Sequence, residues 1–408
     1  MFHLRRSWLP GGYGEVRRHP LLTVLPGFCS VARPATGSLH RRLERLSAFL
    51  RRLKLPKPTV LNACGQEFQL PLREADVGVP VPPSPAELAY LAGFFDGDGC
   101  VSVQGGRSGC FMKVVQSSHQ AEALLRFLRA FGGSIFARSG AHGCQRSTIS
   151  WQLGGQRCRD AASQLSLVPT SKQAQLRIAA CWPRNSLSRE SMTEQMRRLK
   201  HIPCERGIVQ SWEYLAGFFD AEGCIVIRGA SARVVLIIAQ KHSHILHSVS
   251  SFLQRELPAC RPGIHQRRGG GSFVWQLNNT ENCKAMLRAM LHGGLLQKRA
   301  SASIALALTR ENHYDSRRAL ARLVGNQGCY RRLDDDGCRR SREICRLRYH
   351  MQRSKMRSDT VMVQHLDLTI QSLVREHDEQ MRSTHLSRLR RDIRAMLQQG
   401  ASVSPLAE

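Results

Sequence analysis

"YLAGFFDGDGC" occupies Tyr90–Cys100, and "YLAGFFDAEGC" occupies Tyr214–Cys224. Nearly the same stretch is written twice, 124 residues apart. Each carries an apolar, small-residue run into two acids set among small residues: Asp96 and Asp98 in the first copy, Asp220 and Glu222 in the second. Two carboxylates at such a place need a reason, and the reason has to hold for both copies.

The repetition extends outward from the motifs. Each is followed by an alternating run, "CVSVQG" from Cys100 and "CIVIRG" from Cys224, and then by a second one, "FMKVVQSS" from Phe111 and "ARVVLIIAQKHS" from Ala232. Alternation of this kind predicts half-buried strands. Helix-like stretches follow near 121–131 and 244–256. "SWQLGG" from Ser150 then matches "VWQLNN" from Val274, and "SKQAQLRIA" from Ser171 pairs with "QKRASASIA" from Gln297. Each unit therefore reads helix, hairpin, helix, hairpin, helix: an α+β unit in two divergent copies. Ser84 is placed to cap the first motif helix, with Pro85 at its first position and Glu87 three residues on. Ser211 is the matching cap in the second copy.

Within each motif helix the small residues recur at spacings of three or four: Ala89, Ala92, Gly93 and Gly97, then Ala216, Gly217 and Ala221. Such a stripe lets two helix backbones approach closely, while Leu91, Phe94, Phe95 and Leu215, Phe218, Phe219 face the flanking cores. The two copies are expected to pack on each other about a pseudo-two-fold axis, bringing Asp98 and Glu222 side by side. A helix C-terminus carries the negative end of the dipole, and like charges repel there. A divalent cation relieves both problems, and oxygen donors with open water positions suit Mg²⁺ (or Mn²⁺). Asp96 and Asp220 are read as capping or supporting groups. Gly97 and Gly99 are read as giving the backbone freedom to leave the helix.

The composition points the same way. Among 408 residues, 60 Lys and Arg stand against 31 Asp and Glu, a formal charge of +29. That balance disfavours a plain metabolic enzyme and favours a polyanionic partner, nucleic acid before an anionic membrane. No run of eighteen apolar residues predicts a transmembrane helix. The fourteen cysteines contain no C-x-x-C pair and are read as free thiols.

"LAGFFDGDG" (Leu91–Gly99) and "LAGFFDAEG" (Leu215–Gly223) resemble the two signature motifs of the LAGLIDADG homing endonuclease family, in its double-motif, single-chain form. The resemblance covers roughly residues 85–310. It implies two pseudo-symmetric αββαββα repeats forming a saddle-shaped antiparallel sheet, in a monomer that acts as a pseudo-dimer on double-stranded DNA. It implies metal binding by Asp98 and Glu222, with Gln116 and Gln240 on the strand beside each site. It also implies a lysine beside each, for which Lys172 and Lys298 are the candidates. Ordinary strand polarity for the glutamines and plain phosphate contact for the lysines remain open. The family's sheets lie in the DNA major groove, which admits a β-ribbon and distinguishes every base pair. The candidate nucleic-acid-binding positions here are Ser102, Gln104, Lys113, Arg228, Arg233, Arg267 and Arg268. A one-residue slip would invert their face. The implied activity is site-specific hydrolysis of DNA in intron homing. The family also includes binding proteins, so a non-cleaving, maturase-like factor acting on intron RNA or DNA is the alternative.

The flanks divide the rest. Residues 1–56 hold eleven Arg or Lys against Glu15 and Glu44, which suits a mitochondrial (or plastid) targeting segment, or a disordered basic arm. Residues 57–84 are read as a Pro-rich linker, 85–184 as the first repeat, 185–210 as an inter-repeat linker and 211–310 as the second repeat. Residues 311–408 are read as a basic extension, helical or partly disordered.

Overall fold

The Ser84 hydroxyl accepts the Glu87 amide at 3.2 Å, and Pro85 takes the first helical position. The Ser211 hydroxyl accepts the Tyr214 amide at the same distance. Both motif helices thus begin where their caps dictate, and they end on Asp98 and Glu222.

The computed structural model describes residues 36–103, 109–183, 185–200, 208–229, 231–267, 269–323 and 332–404. In chain order the N-terminal flank holds α1 (Thr36–Arg52), β1 (Leu53–Lys54), β2 (Val60–Ala63), β3 (Gln66–Gln69), β4 (Leu72–Arg73) and α2 (Glu74–Val77). The first repeat is α3 (Pro85–Asp98), β5 (Gly99–Val103), β6 (Cys110–Ser117), α4 (Glu122–Phe131), β7 (Ser134–Ser139), β8 (Thr148–Gly154), α5 (Gly155–Leu165) and α6 (Gln173–Ala180). After α7 (Ser186–Leu199) comes the second: α8 (Trp212–Glu222), β9 (Gly223–Ile227), β10 (Val234–Gln240), α9 (His244–Glu256), β11 (Gly263–Gln266), β12 (Phe273–Leu277), α10 (Thr280–His292) and α11 (Arg299–Leu306). The chain closes with α12 (His313–Leu323), α13 (Asp335–Met356), α14 (Thr360–Gln398) and β13 (Ser402–Val403).

The two repeats form separate antiparallel sheets of the same order, β7-β8-β6-β5 and β11-β12-β10-β9. The registers of β5, β6 and β8 superpose residue by residue on those of β9, β10 and β12. Gly99 faces Val114 as Gly223 faces Ile238, and Val114 faces Trp151 as Ile238 faces Trp275. Every one of these pairs is offset by 124, the spacing of the motifs themselves. The α+β reading and its repeat order are therefore realised, with α5 and α10 as an extra helix in each unit. α3 and α8 pack centrally, flanked by the aromatic cores around Phe94, Phe95, Phe127 and Trp151 and around Phe218, Phe219 and Trp275.

The flanks differ from the expectation. Residues 57–84 are not a linker. β2 and β3 form a hairpin, and β4 joins the edge of the first sheet beside β7. The Glu74 carboxylate then accepts the Gly133 amide at 3.1 Å and pairs with Arg157 at 3.0 Å. The strands are short, and their alternation of Leu61, Ala63 and Phe68 is interrupted by a turn at Cys64 and Gly65. Nor is all of residues 1–56 a disordered arm. α1 buries Leu43 and Leu50, with Leu53 after it, against Leu386, Leu389, Ile393 and Met396 of α14. β1 pairs with β13 alongside. The leucines recur at helical spacing, but arginines hide the pattern. Between the repeats, α7 buries Met196, and Ile208 and Val209 join the main core. The targeting expectation for residues 1–35 lies outside the described residues. No described helix is long and apolar enough to cross a membrane.

Candidate active site

The small-residue stripes do bring two backbones together. A Cβ on Gly93 would overlap the Tyr214 carbonyl oxygen and lie 3.0 Å from the Phe218 nitrogen. A Cβ on Gly217 would overlap the Tyr90 carbonyl oxygen and lie 2.9 Å from the Phe94 nitrogen. The crossing is thus reciprocal, residue for residue, as a pseudo-two-fold requires. Gly97 and Gly99 serve space rather than backbone freedom. Gly99 is extended (φ −78°), a conformation open to any residue, but the Phe95 ring occupies the place of its Cβ. A Cβ on Gly97 would overlap that of Ala221 and stand 3.1 Å from Glu222 Cγ. Glu222 therefore lies against the last turn of α3, beside Asp98.

The first acid of each motif is spent inside its own repeat. The buried Asp96 carboxylate accepts the Ser171 amide at 2.6 Å and the Lys172 amide at 3.2 Å, at the start of α6. Asp220 accepts the amides of Leu296, Gln297 and Lys298 at 2.6, 3.0 and 2.8 Å, at the start of α11. Each carboxylate thereby satisfies helix N-terminal donors. A tyrosine from the opposite repeat completes each set. Tyr90 donates to Asp220 at 2.8 Å, and Tyr214 donates to Asp96. Burial pushes the Asp96 carboxyl up, against the Lys172 charge and these hydrogen bonds. The crossed tyrosine bonds, which tie one repeat to the other, were missed by sequence reading. The signal was present: a tyrosine opens both motifs, at the same distance from the aspartate.

The lysines answer the helix-end problem directly. Lys172 Nζ donates to the carbonyls of Phe95, Asp96 and Gly99 at 2.7, 2.8 and 2.7 Å. Lys298 Nζ donates to the Asp220 carbonyl. A cation thus covers the negative end of each motif helix. Burial pushes both ammonium groups below the usual lysine range. Asp98 and Glu222 both lie close enough to act on each of them in the opposite sense. The acid pair and the lysine pair therefore form one cluster.

The glutamines behave unequally. Gln116 is buried on the core face of β6, and its side-chain amide donates to Asp98. Gln240 ends β10 opposite Phe273, half-buried, and no hydrogen bond joins it to Glu222 among the described residues. No group of three or more His, Cys, Asp or Glu side chains that could hold a metal gathers among the described residues. A cation at this place would have Asp98 and Glu222 as its carboxylates, with water and phosphate oxygens completing its shell. Two hard oxygen donors with open positions fit Mg²⁺ better than any soft metal.

The sheets' outer faces also differ. In the first repeat that face carries Cys100, Ser102, Lys113, Ser117, Ser150 and Gln152; Lys113 stands opposite Gln152, and Ser102 opposite Phe111. At the offset of 124, Ser102 becomes Val226, Phe111 becomes Val235, Lys113 becomes Ile237 and Ser150 becomes Val274. Val235 is fully buried although it faces away from the core of its repeat. Burial pushes the Cys224 thiol up, and the Arg332 charge acts on it from the C-terminal extension. α12 docks at the same edge, where His313 Nε2 meets the Arg228 carbonyl at 2.8 Å. The arginines of the second repeat stand at hairpin tips instead. Arg228 and Arg233 flank the β9–β10 turn, and Arg267 opens the β11–β12 turn. Gln104 and Arg268 lie outside the described residues.

Residues 85–138 match a family model described as a LAGLIDADG-like domain. Among solved structures, the chain is similar to the meganuclease I-SmaMI bound to uncleaveable DNA, at 16% identity over 59% of this chain and 97% of that one, with a TM-score of 0.41. It is similar to the I-LtrWI LAGLIDADG homing endonuclease bound to target DNA, at 12% identity over 58% and 96%, with a TM-score of 0.43. It is also similar to the LAGLIDADG meganuclease I-AabMI bound to uncleaved DNA, at 16% identity over 57% and 98%, with a TM-score of 0.40. Comparison with curated proteins finds no match.

Proposed function

From a chain that carries a LAGLIDADG-like domain, we propose a site-specific DNA endonuclease that hydrolyses phosphodiester bonds with a divalent cation, Mg²⁺ or Mn²⁺, held between Asp98 and Glu222. One observation supports the reading: the two helices that end on Asp98 and Glu222 are locked by reciprocal Gly93 and Gly217 contacts and crossed tyrosine–aspartate bonds. Nothing in a purely structural helix pair requires Glu222 to be buried against the turn that ends in Asp98. A cation bound there would polarise the scissile phosphate and lower the pKa of an attacking water. The protein's own residues hold the acids. Gln116 orients the Asp98 carboxylate, and Lys172 and Lys298 offset the negative helix ends beneath it. The polar outer face of the first sheet, with Lys113, and the arginine-tipped hairpins of the second would grip double-stranded DNA as a single-chain pseudo-dimer. The experiment is cleavage of a plasmid library of random targets in Mg²⁺. Cleavage should vanish with Asp98→Asn or Glu222→Gln while DNA binding stays. Binding without cleavage by the parent protein, across a broad library, sinks the proposal.

The apolar, partly covered outer face of the second sheet favours a second reading. A face of Val226, Val235 and Ile237 has no donors for base edges. A non-cleaving, maturase-like factor acting on organelle intron RNA or DNA needs no symmetric DNA grip. If the double variant Asp98→Asn, Glu222→Gln rescues the phenotype of a null mutant, including any intron retention, this reading replaces the first. The mitochondrial (or plastid) assignment is carried by the arginine-rich, acid-poor composition before α1. α1 itself is built into the fold through α14, so any cleaved targeting segment would end before Thr36.

A further inference from the structure

α13 and α14 pack on each other as a helical hairpin. Some charges of the C-terminal region pair with one another: Arg318 with Asp315 and Asp335, Arg339 with Asp336, Arg346 with Glu343 and Arg391 with Asp392. The second half of α13 holds cations without acids. From Ile344 to Ser358 the sequence holds Arg346, Arg348, Arg353, Lys355 and Arg357 and no acid. Arg348, Arg353, Lys355 and Arg357 are exposed and have no ion pair among the described residues.

The placement of these groups on the helix is specific. Ile344 is buried, and Leu347, Met351 and Ser354 are half-buried, which fixes the face turned toward α14. Arg346, Tyr349, Arg353, Met356 and Arg357 fall on the opposite side at helical spacing. Tyr349 is 62% exposed and Met356 83% exposed, and the Arg353 guanidinium lies 5.9 Å from the centre of the Tyr349 ring. The stripe is about 17 Å long at the rise of an α-helix.

We propose that this stripe binds an unpaired strand of nucleic acid, outside the surface formed by the two repeats. Arg353 and Arg357, unpaired among the described residues, complement a phosphate backbone on this face. An exposed aromatic with a guanidinium beside it is a stacking platform, and only an unstacked base can reach it. A duplex keeps its bases inside, so duplex backbone contact would use the arginines and leave Tyr349 idle. The class is a single strand, RNA or DNA; the sugar is settled by the test.

The test uses the full chain and short fluorescein-labelled pyrimidine strands of RNA and of DNA, with a matching duplex, followed by anisotropy across a salt series. Tyr349→Ala should weaken single-strand binding at least about fivefold, the lower end for losing one stacked base. Arg353→Gln with Arg357→Gln should lower the salt slope by about 1.4, at about 0.7 per phosphate on a single strand. Duplex binding should be unchanged by Tyr349→Ala, and whichever labelled strand loses more affinity identifies the sugar. All three positions are exposed, so circular dichroism and melting should match the parent. Ultraviolet crosslinking of a 5-iodouracil strand should place adducts within residues 346–357. The proposal fails if Tyr349→Ala is silent while the double arginine variant weakens single strand and duplex alike, which marks a plain backbone grip. It fails equally if both variants bind as the parent does, or if crosslinks map only to the repeats.

Discussion

Gly93→Ala tests the geometry on which the site depends. The added Cβ would overlap the Tyr214 carbonyl oxygen and stand 2.9 Å from its carbonyl carbon. The obstacle is backbone of the facing helix, so no rotamer change relieves it; α3 and α8 must move apart. Alanine gains about 1 kcal/mol over glycine in a helix interior. Overpacking costs about 1–3 kcal/mol when side chains can adapt, and here they cannot, so about 3 kcal/mol or more is expected. The net loss is about 2 kcal/mol or more, or roughly 4–8 °C of melting temperature for a domain of this size. Gly154→Ala is the control: that glycine lies at φ −132° with open space around it, and its variant should melt like the parent. Differential scanning fluorimetry reads the shift, and the cleavage assay reads the site. If Gly93→Ala melts with Gly154→Ala, the backbones are not in contact and the juxtaposition of Asp98 with Glu222 loses its support.

Gly97→Ala should lower the melting temperature as Gly93→Ala does, since its Cβ overlaps that of Ala221, and should also disturb Glu222, whose Cγ stands 3.1 Å away; cleavage at a temperature where the variant is fully folded should fall, and cleavage equal to the parent's refutes it. Tyr90→Phe removes one of four donors from Asp220 and should cost about 1–2 kcal/mol in urea titration; a neutral result would show the cross-repeat bond to be dispensable. Lys113→Ala should lower the salt slope of duplex binding by about 0.9, whereas Ile237→Ala should leave the slope unchanged and cost about 1–2 kcal/mol of stability. Equal slope changes would show the second face to be reading DNA after all. Burial holds Lys172 and Lys298 below the usual lysine value, so the unfolded chain binds more protons between the lowered values and about 10.5. Stability should therefore rise with pH across that window, less steeply in Lys172→Met, and a parallel pH dependence of the two proteins would contradict the burial.

The sequence alone determined a good deal. A duplication with no insertion from the motif through the first hairpin keeps one offset in the β5–β6 and β9–β10 pairs, so the equivalence of the two copies was legible from spacing. The caps Ser84 and Ser211 were legible because capping is local chemistry. The packing of the two motif helices was legible because small residues at helical spacing let backbones approach, and a second copy supplied the partner. The reach of side chains across the interface was not legible. Asp96 and Asp220 were set apart as supporting groups, but their partners come from loops 75 to 78 residues away and from a tyrosine in the other repeat. The lysines' placement on helix-end carbonyls, the docking of α1 on α14 and the burial of Val235 likewise depend on contacts between segments far apart in the chain. Local pattern fixes which face of an element is apolar; what lies against that face is set by the whole fold, because burial is a property of neighbours and not of the residue itself.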